Sequence, residues 1–334
     1  MKPYALFCAA ALITLSPAST ALSQEKKIVT QATTQPGITP AQMKQAQSLF
    51  DEFDKKVMTG FVGEEALKAS MSKDLRAIDA LKDPKQKMAA IDTYQKKYAG
   101  DYLRILKKGG ADVNALAASL NGLFKGRKFT VVNSLYATSV TSTDTPPTVS
   151  TPAPAPTART FQLSTNDFAF DGNPRCGGAA GAGNSFSGMK MRSDIFSTLA
   201  GGCFNSAGLR LDRTVASATV ETLTVKADVD VWALAIAVGG TSLASSRANL
   251  YVYGELPDFN TEVSKEVEVF APALWVAYAA DNRQNAQIVQ WAPAGKAIGI
   301  HANSGGYTMS LLTSGNSTGS EIRLNQVKVT VAPQ

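Results

Sequence analysis

Two periodicities divide the chain. From about residue 39 to residue 123 apolar side chains recur every three or four positions, the spacing of one helix face, and from about 161 onward they recur every second position, the spacing of one strand face. Thr39-Pro40 opens the first run with a capping hydroxyl and a proline suited to the first helical position. Met43, Ala46, Phe50, Phe53 and Val57 follow on one face, and Gly60 and Gly63 read as breaks. A second helix carries Leu67, Met71, Leu75, Ile78 and Leu81. Asp83-Pro84 starts a third, with Gln86 placed to complete a capping box. It carries Met88, Ile91, Tyr94, Tyr98, Tyr102 and Ile105 and closes at Lys107-Lys108-Gly109, where cations and a glycine suit a helix C-terminus. Asp112 caps a fourth, with Val113, Leu116, Leu120 and Leu123 inward. Four helices with short connections predict a small antiparallel helical bundle over 38–126.

The alternation is cleanest after Thr219. Leu223, Val225, Ala227, Val229 and Val231 fall on one face, and Thr222, Thr224, Lys226, Asp228 and Asp230 on the other, the pattern of a half-buried antiparallel strand. From Trp232 to Val238 both faces are apolar, which predicts cover on both sides. Gly239-Gly240 reads as a hairpin turn into a return strand that carries Ala248, Leu250 and Val252. In the last strand the inward set moves from Ile322 and Leu324 to Val327, Val329 and Val331, so one extra residue near Asn325-Gln326 should form a bulge. Short strands without intervening helices predict an antiparallel, jelly-roll-like β-sandwich over 161–334.

Between the two patterns lies Thr138–Thr160, TSVTSTDTPPTVSTPAPAPTART. It has too few apolar side chains to offset the entropy of ordering, and its prolines favour extended geometry. It reads as a disordered Ser/Thr/Pro-rich linker over 138–160. The expected organisation is therefore two-domain, α then β.

The N-terminus sets the compartment. Lys2, the apolar run Tyr4–Leu15 and small residues before Ala21 or Ser23 have the layout of a signal peptide over 1–23, which predicts a secreted, periplasmic or cell-surface protein. Cys8 leaves with that segment. Cys176 and Cys203 remain as an even pair, expected to form a disulfide. It would close a loop of about 28 residues, worth roughly 3–4 kcal/mol on the loop-entropy account. No later stretch reaches the ~18 apolar residues of a spanning helix.

Charge is unevenly shared. Residues 25–128 hold 19 Lys and Arg against 12 Asp and Glu, whereas residues 129–334 hold 13 against 15. The aromatic side chains of the strand half thus lie in the acidic part and the cations in the other, which argues against nucleic acid as a partner.

Catalytic signatures are scarce. His301 is the one histidine, so neither a zinc triad nor a His-x-x-x-His pair can be drawn, and no Gly-x-Ser-x-Gly elbow occurs. The chain reads as a non-enzyme. Asp228 and Asp230 lie two apart on one strand face, about 7 Å between α-carbons, and Trp232 continues that face. Together with Tyr251 and Tyr253, interleaved with amides, they make a candidate ligand-binding set in which rings stack on sugar and polar groups take its hydroxyls. Asp167, Asp171 and Asn173 form an oxygen-rich candidate calcium set without EF-hand spacing. Asn316-Ser317-Thr318 matches a glycosylation acceptor.

The leading expectation is an exported binding module whose β-sandwich contacts glycan or another cell-surface component. The alternatives are a structural surface-layer or fibre protein that self-associates through strand edges, and a carboxylate-dependent glycan hydrolase.

Overall fold

A computed structural model describes residues 40–123, 140–141, 157–254, 261–310 and 315–334. The signal-peptide segment and most of the Ser/Thr/Pro stretch lie outside the described residues.

Among the described residues four helices come first: α1 (Pro40–Gly60), α2 (Glu65–Ala80), α3 (Pro84–Gly109) and α4 (Val113–Leu123). The apolar faces read from the sequence are the buried ones, with Phe50, Val57, Met71, Leu75, Tyr102 and Leu120 all enclosed. Asp83 accepts the Gln86 backbone N–H at 2.8 Å, and Asp112 accepts the N–H of Asn114 and Ala115, so both expected N-caps form. The left-handed cap of α3 falls on Gly110, one residue beyond Gly109. α1 ends at Gly60, where the pattern placed the break. A β-carbon there would lie 2.1 Å from the Ile105 carbonyl oxygen, while one on Gly109 would lie 1.9 Å from that of Lys56. These glycines let α1 and α3 approach backbone to backbone. The turn falls to Gly63, at φ +82°.

Eleven strands follow among the described residues: β1 (Val140–Thr141), β2 (Arg159–Gln162), β3 (Ala169–Gly172), β4 (Arg175–Ser187), β5 (Lys190–Thr214), β6 (Thr219–Ala237), β7 (Ser242–Tyr253), β8 (Thr261–Ala271), β9 (Trp275–Ala292), β10 (Ala297–Ser310) and β11 (Asn316–Pro333). They form one sheet in the order β1-β9-β6-β11-β5-β10-β7-β8, antiparallel except for the short β1–β9 pairing. β2 adds to β11, and β3 and β4 add to β5. β8 and β9 are consecutive in the chain yet stand at opposite ends of this order, apart from β1. The sheet therefore curls until it is nearly closed into a barrel or sandwich, and an ion pair between Lys265 of β8 and Asp281 of β9, 3.2 Å apart, spans the seam.

The 25-residue β5 belongs to both walls. Residues 190–197 pair with β11, and residues 201–214 pair with β10. The first wall is β9, β6, β11 and the start of β5; the second is the end of β5, β10, β7 and β8. Asn316 stands where the walls part, its side-chain amide donating to the Met309 carbonyl at 2.7 Å and the Leu243 carbonyl at 3.3 Å. Hairpin β4–β5 turns on Gly188 and Met189, both at positive φ, as a two-residue connection between twisted strands requires.

Two details of strand reading come out differently. The bulge is where parity placed it, with Asn325 skipped between Leu324 and Gln326. Gly239-Gly240, however, makes no hairpin. β6 pairs with β11 and β9, and β7 with β10 and β8, so this connection carries the chain from one wall to the other. Apolar side chains on both sides of the glycines fit either a hairpin or a crossing. Only the distant partners decide between them.

The helices lie against the sheet. Tyr102 stacks on Trp275 with centroids 4.5 Å apart, and the Tyr102 and Tyr94 hydroxyls donate to the Ala273 and Leu274 carbonyls of the β8–β9 turn at 2.6 and 2.7 Å. Phe53 meets Phe270 edge to face at 5.6 Å. Asp54 of α1 accepts the Thr241 N–H at 2.8 Å and the Thr241 hydroxyl as well.

Candidate functional site

The alternation of β6 sends Asp228, Asp230 and Trp232 to the outer face of the first wall while Val229 and Val231 are fully buried beneath. Register then decides their company. Trp232 is level with Gly319 of β11, and Gly319 with Asp194 of β5; one row down, Asp230 is level with Glu321, and Glu321 with Arg192. Glycine at 319 matters here. A β-carbon would come within 2.4 Å of the Trp232 Nε1 and 2.7 Å of its Cε2, so the indole reaches over β11 into the space that glycine leaves. Trp232 and Leu234 stay half-buried, because their row neighbours Gly319 and Ser317 are small. The expected cover on both sides is complete only at Ile236, 1% exposed.

Beside the indole is a hollow of about 70 Å³ lined by Arg192, Asp194, Asp230, Trp232, Ser320 and Glu321 over Gly319. Its polar groups are held in place. Arg192 grips Asp194 through two hydrogen bonds of 2.5 and 2.9 Å. Glu321 is paired with Lys190 at 2.6 Å and Arg323 at 3.1 Å. Asp230 accepts from the Gln284 amide at 2.7 Å. Partial burial raises the Asp230 carboxyl above its ordinary pKa, and the neighbouring Glu321 and Asp228 carboxylates add to the effect. Asp228 is held in a structural role, accepting the Asn285 N–H at 2.8 Å where β9 bulges against β6 and Asn285 adopts φ +55°.

A second ring extends the surface. Phe196 is 56% exposed on the outer face of β5 and lies over Gly181 of β4, where a β-carbon would meet its Cζ at 2.6 Å. Sequence reading did not single out Phe196, Arg192, Asp194 or Glu321. Each lies on a strand whose partners are remote in sequence, so only the pairing register brings them to Trp232.

Tyr251 and Tyr253 lie elsewhere. They project from β7 on the outer face of the second wall, stacked at 6.0 Å, with His301 of β10 edge-on to Tyr253 at 5.1 Å. Asp212 gathers the Tyr253 hydroxyl, His301 Nε2 at 3.0 Å and Arg210. Partial burial pushes the Asp212 carboxyl up, but these hydrogen bonds outweigh it and leave the group below its ordinary pKa. The five candidate ligand residues therefore divide between two faces.

Of the candidate calcium set, Asp167 is occupied locally, accepting the Ser164 N–H at 2.7 Å and its hydroxyl at 3.0 Å in a short 3-10 turn. Asp171 lies opposite Gly208 on β3, and the Asn173 N–H donates to Ser206 at 2.8 Å. Among the described residues no group of three or more His, Cys, Asp or Glu could hold a metal ion. Cys176 and Cys203 face each other across β4 and β5 and form the expected disulfide. Asn316 is 2% exposed with its amide engaged, so the glycosylation motif is inaccessible in the folded chain. Among the described residues no helix is long and apolar enough to cross a membrane.

No family model matches the chain, and no curated protein matches it. Several solved structures are similar to about half of the chain. A family 11 carbohydrate-binding module from Clostridium thermocellum, in complex with a β-1,3-1,4-mixed-linked tetrasaccharide, aligns at 11% identity over 51% of this chain and 94% of its own, with a TM-score of 0.17. The module TmCBM61, in complex with β-1,4-galactotriose, aligns at 12% identity over 51% and 90%, also at 0.17. The enzymatically active domain of bacteriophage CBA120 tailspike protein 4 aligns at 13% identity over 48% and 20%, at 0.15. Likenesses of this size carry no argument about this chain, whose site has to be read from its own residues.

Proposed function

We propose that this chain is an exported, non-catalytic glycan-binding protein that holds sugar on the outer face of its first wall. The observation that carries this reading is the half-buried Trp232, set over Gly319 beside the hollow formed by Asp194, Asp230, Glu321 and Arg192. A half-exposed indole offers the apolar patch on which a pyranose ring stacks. The carboxylates beside it accept hydrogen bonds from sugar hydroxyls, and the Arg192 guanidinium donates to them. Phe196 lengthens the platform for a second sugar unit. The three carboxylates around the hollow are balanced by Arg192, Lys190 and Arg323, so the site carries little net charge, which suits a neutral sugar. Export through the segment 1–23 would bring the site to where such glycans occur, and the Cys176–Cys203 disulfide fits an oxidising compartment.

The test is retention. The full chain is run through native gels cast with neutral polysaccharides, acidic polysaccharides or none, beside Trp232→Ala. Retardation by a neutral polysaccharide that Trp232→Ala abolishes supports the reading; equal mobility in every gel overturns it. Because partial burial moves the Asp230 carboxyl pKa upward, the direction that suits a general acid, the same incubations are assayed for new reducing ends. Release that Asp230→Asn removes would replace binding by hydrolysis.

A further inference from the structure

The arrangement at Trp232 occurs twice. In the first wall Trp232 of β6 lies across Gly319 of β11 and ends beside Asp194 of β5. In the second, Tyr253 of β7 lies across Gly299 of β10, where a β-carbon would meet its hydroxyl oxygen at 2.6 Å and its Cζ at 2.7 Å, and ends on Asp212 of β5. The registers agree strand for strand. Trp232, Gly319 and Asp194 form one row, and Tyr253, Gly299 and Asp212 form the other. The adjoining rows agree too: Asp230, Glu321 and Arg192 in one wall, Tyr251, His301 and Arg210 in the other. In both, an Arg-x-Asp pair on β5 presents a guanidinium clasped to a carboxylate, Arg192 to Asp194 and Arg210 to Asp212.

We infer that the Tyr251–Tyr253 face is a second glycan-binding site, built on the same plan as the first, and that the chain is bivalent. The inference rests on the glycan-binding role proposed for the Trp232 face. Its occupant is a neutral, hydroxyl-rich sugar: two stacked phenol rings supply the apolar patch, and His301, Arg210 and the outward amide of Asn249 supply donors and acceptors. Eighteen residues of β5 separate Asp194 from Asp212, a path of at most roughly 60 Å along an extended strand. The two faces belong to different walls, so a protein filling both links two glycan chains, and its avidity for a dense glycan surface exceeds that of either site alone.

Stoichiometry decides the matter. The full chain is titrated calorimetrically with cellohexaose, mannohexaose and laminarihexaose, beside Trp232→Ala, Tyr251→Ala and the double variant Tyr251→Ala/Tyr253→Ala, each checked for an unchanged melting temperature. Tyr251→Ala leaves the Tyr253–Asp212 hydrogen bond in place, which guards against a merely structural loss. The expected result is two hexaoses bound per wild-type chain and one per chain in Trp232→Ala. The double variant should also bind one, and Tyr251→Ala should weaken one of the two sites at least tenfold. Wild type should also precipitate the matching long polysaccharide, and neither Trp232→Ala nor the double variant should do so. One hexaose per wild-type chain, lost in Trp232→Ala and unchanged in the tyrosine variants, would overturn the second site while leaving the first intact. No hexaose bound by wild type would overturn both.

Discussion

Trp275 and Trp232 stand on neighbouring strands, and the chain uses them in opposite ways. Trp275 is fully buried, stacked under Tyr102 and met edge-on by Tyr94, at the end of the sheet that the helices cover. Trp232 is half-buried, seated over a glycine and bordered by charged side chains. A ring enclosed by other rings contributes to stability through buried area and packing. A ring left partly in water contributes less to folding than its size allows. That surplus is what marks the first wall, and not the helix contact, as the place to look for a ligand.

The contrast can be broken first at the helix contact. Trp275→Ala empties a packed site and strips the ring from Tyr102, so unfolding in urea should show a loss of about 3–5 kcal/mol. At the seam, Lys265→Ala should cost about 3 kcal/mol, since it leaves the Asp281 carboxylate without its partner in a largely buried place. Where the walls part, Asn316→Ala removes the donor shared by the Met309 and Leu243 carbonyls and should cost about 1–3 kcal/mol by the same measurement.

Asp54 gives a smaller effect with a definite sign. Burial raises its carboxyl pKa, although hydrogen bonds from Thr241 oppose the rise. The folded state then holds a proton that the unfolded state has released, between the ordinary carboxylate pKa and the raised one. Stability from this group is present at low pH and is lost as pH rises through that window. Asp54→Asn should flatten this slope in a series of melting curves from pH 3 to pH 7. A variant whose curve parallels wild type would remove Asp54 from the account.

The smallest effect on folding belongs to Trp232. Trp232→Ala should change stability by no more than about 1 kcal/mol and yet abolish retention on glycan, the reverse of Trp275→Ala assayed for each property.

Much of this architecture is legible in the residue pattern, and the limits have physical causes. Helix faces and caps depend on neighbours within four residues, so Phe50, Tyr102, Asp83 and Asp112 could be placed from sequence. The bulge at Asn325 shows in parity alone. Gly60 ends α1 as the pattern implies, but its second role, the close approach to the Ile105 carbonyl 45 residues away, does not show in the sequence. Gly239-Gly240 was misleading because a hairpin and a crossing between walls have the same local signature. At the site, the alternation of β6 presents Asp228, Asp230 and Trp232 together. It does not separate Asp228, which serves a bulge, from Asp230, which lines the hollow. Tyr251 and Tyr253 share the composition of a sugar site but belong to the other wall. That assignment follows from β5 pairing with β11 at one end and β10 at the other.

The most direct test uses the indole N–H resonances of the full chain, which has three tryptophans, assigned by single substitution and followed while a neutral hexaose that the protein retains is added. The account predicts that the Trp232 signal moves in a saturable way while the Trp275 signal, enclosed beneath the helices, stays where it is. A bound hexaose that leaves the Trp232 signal unmoved would contradict the account.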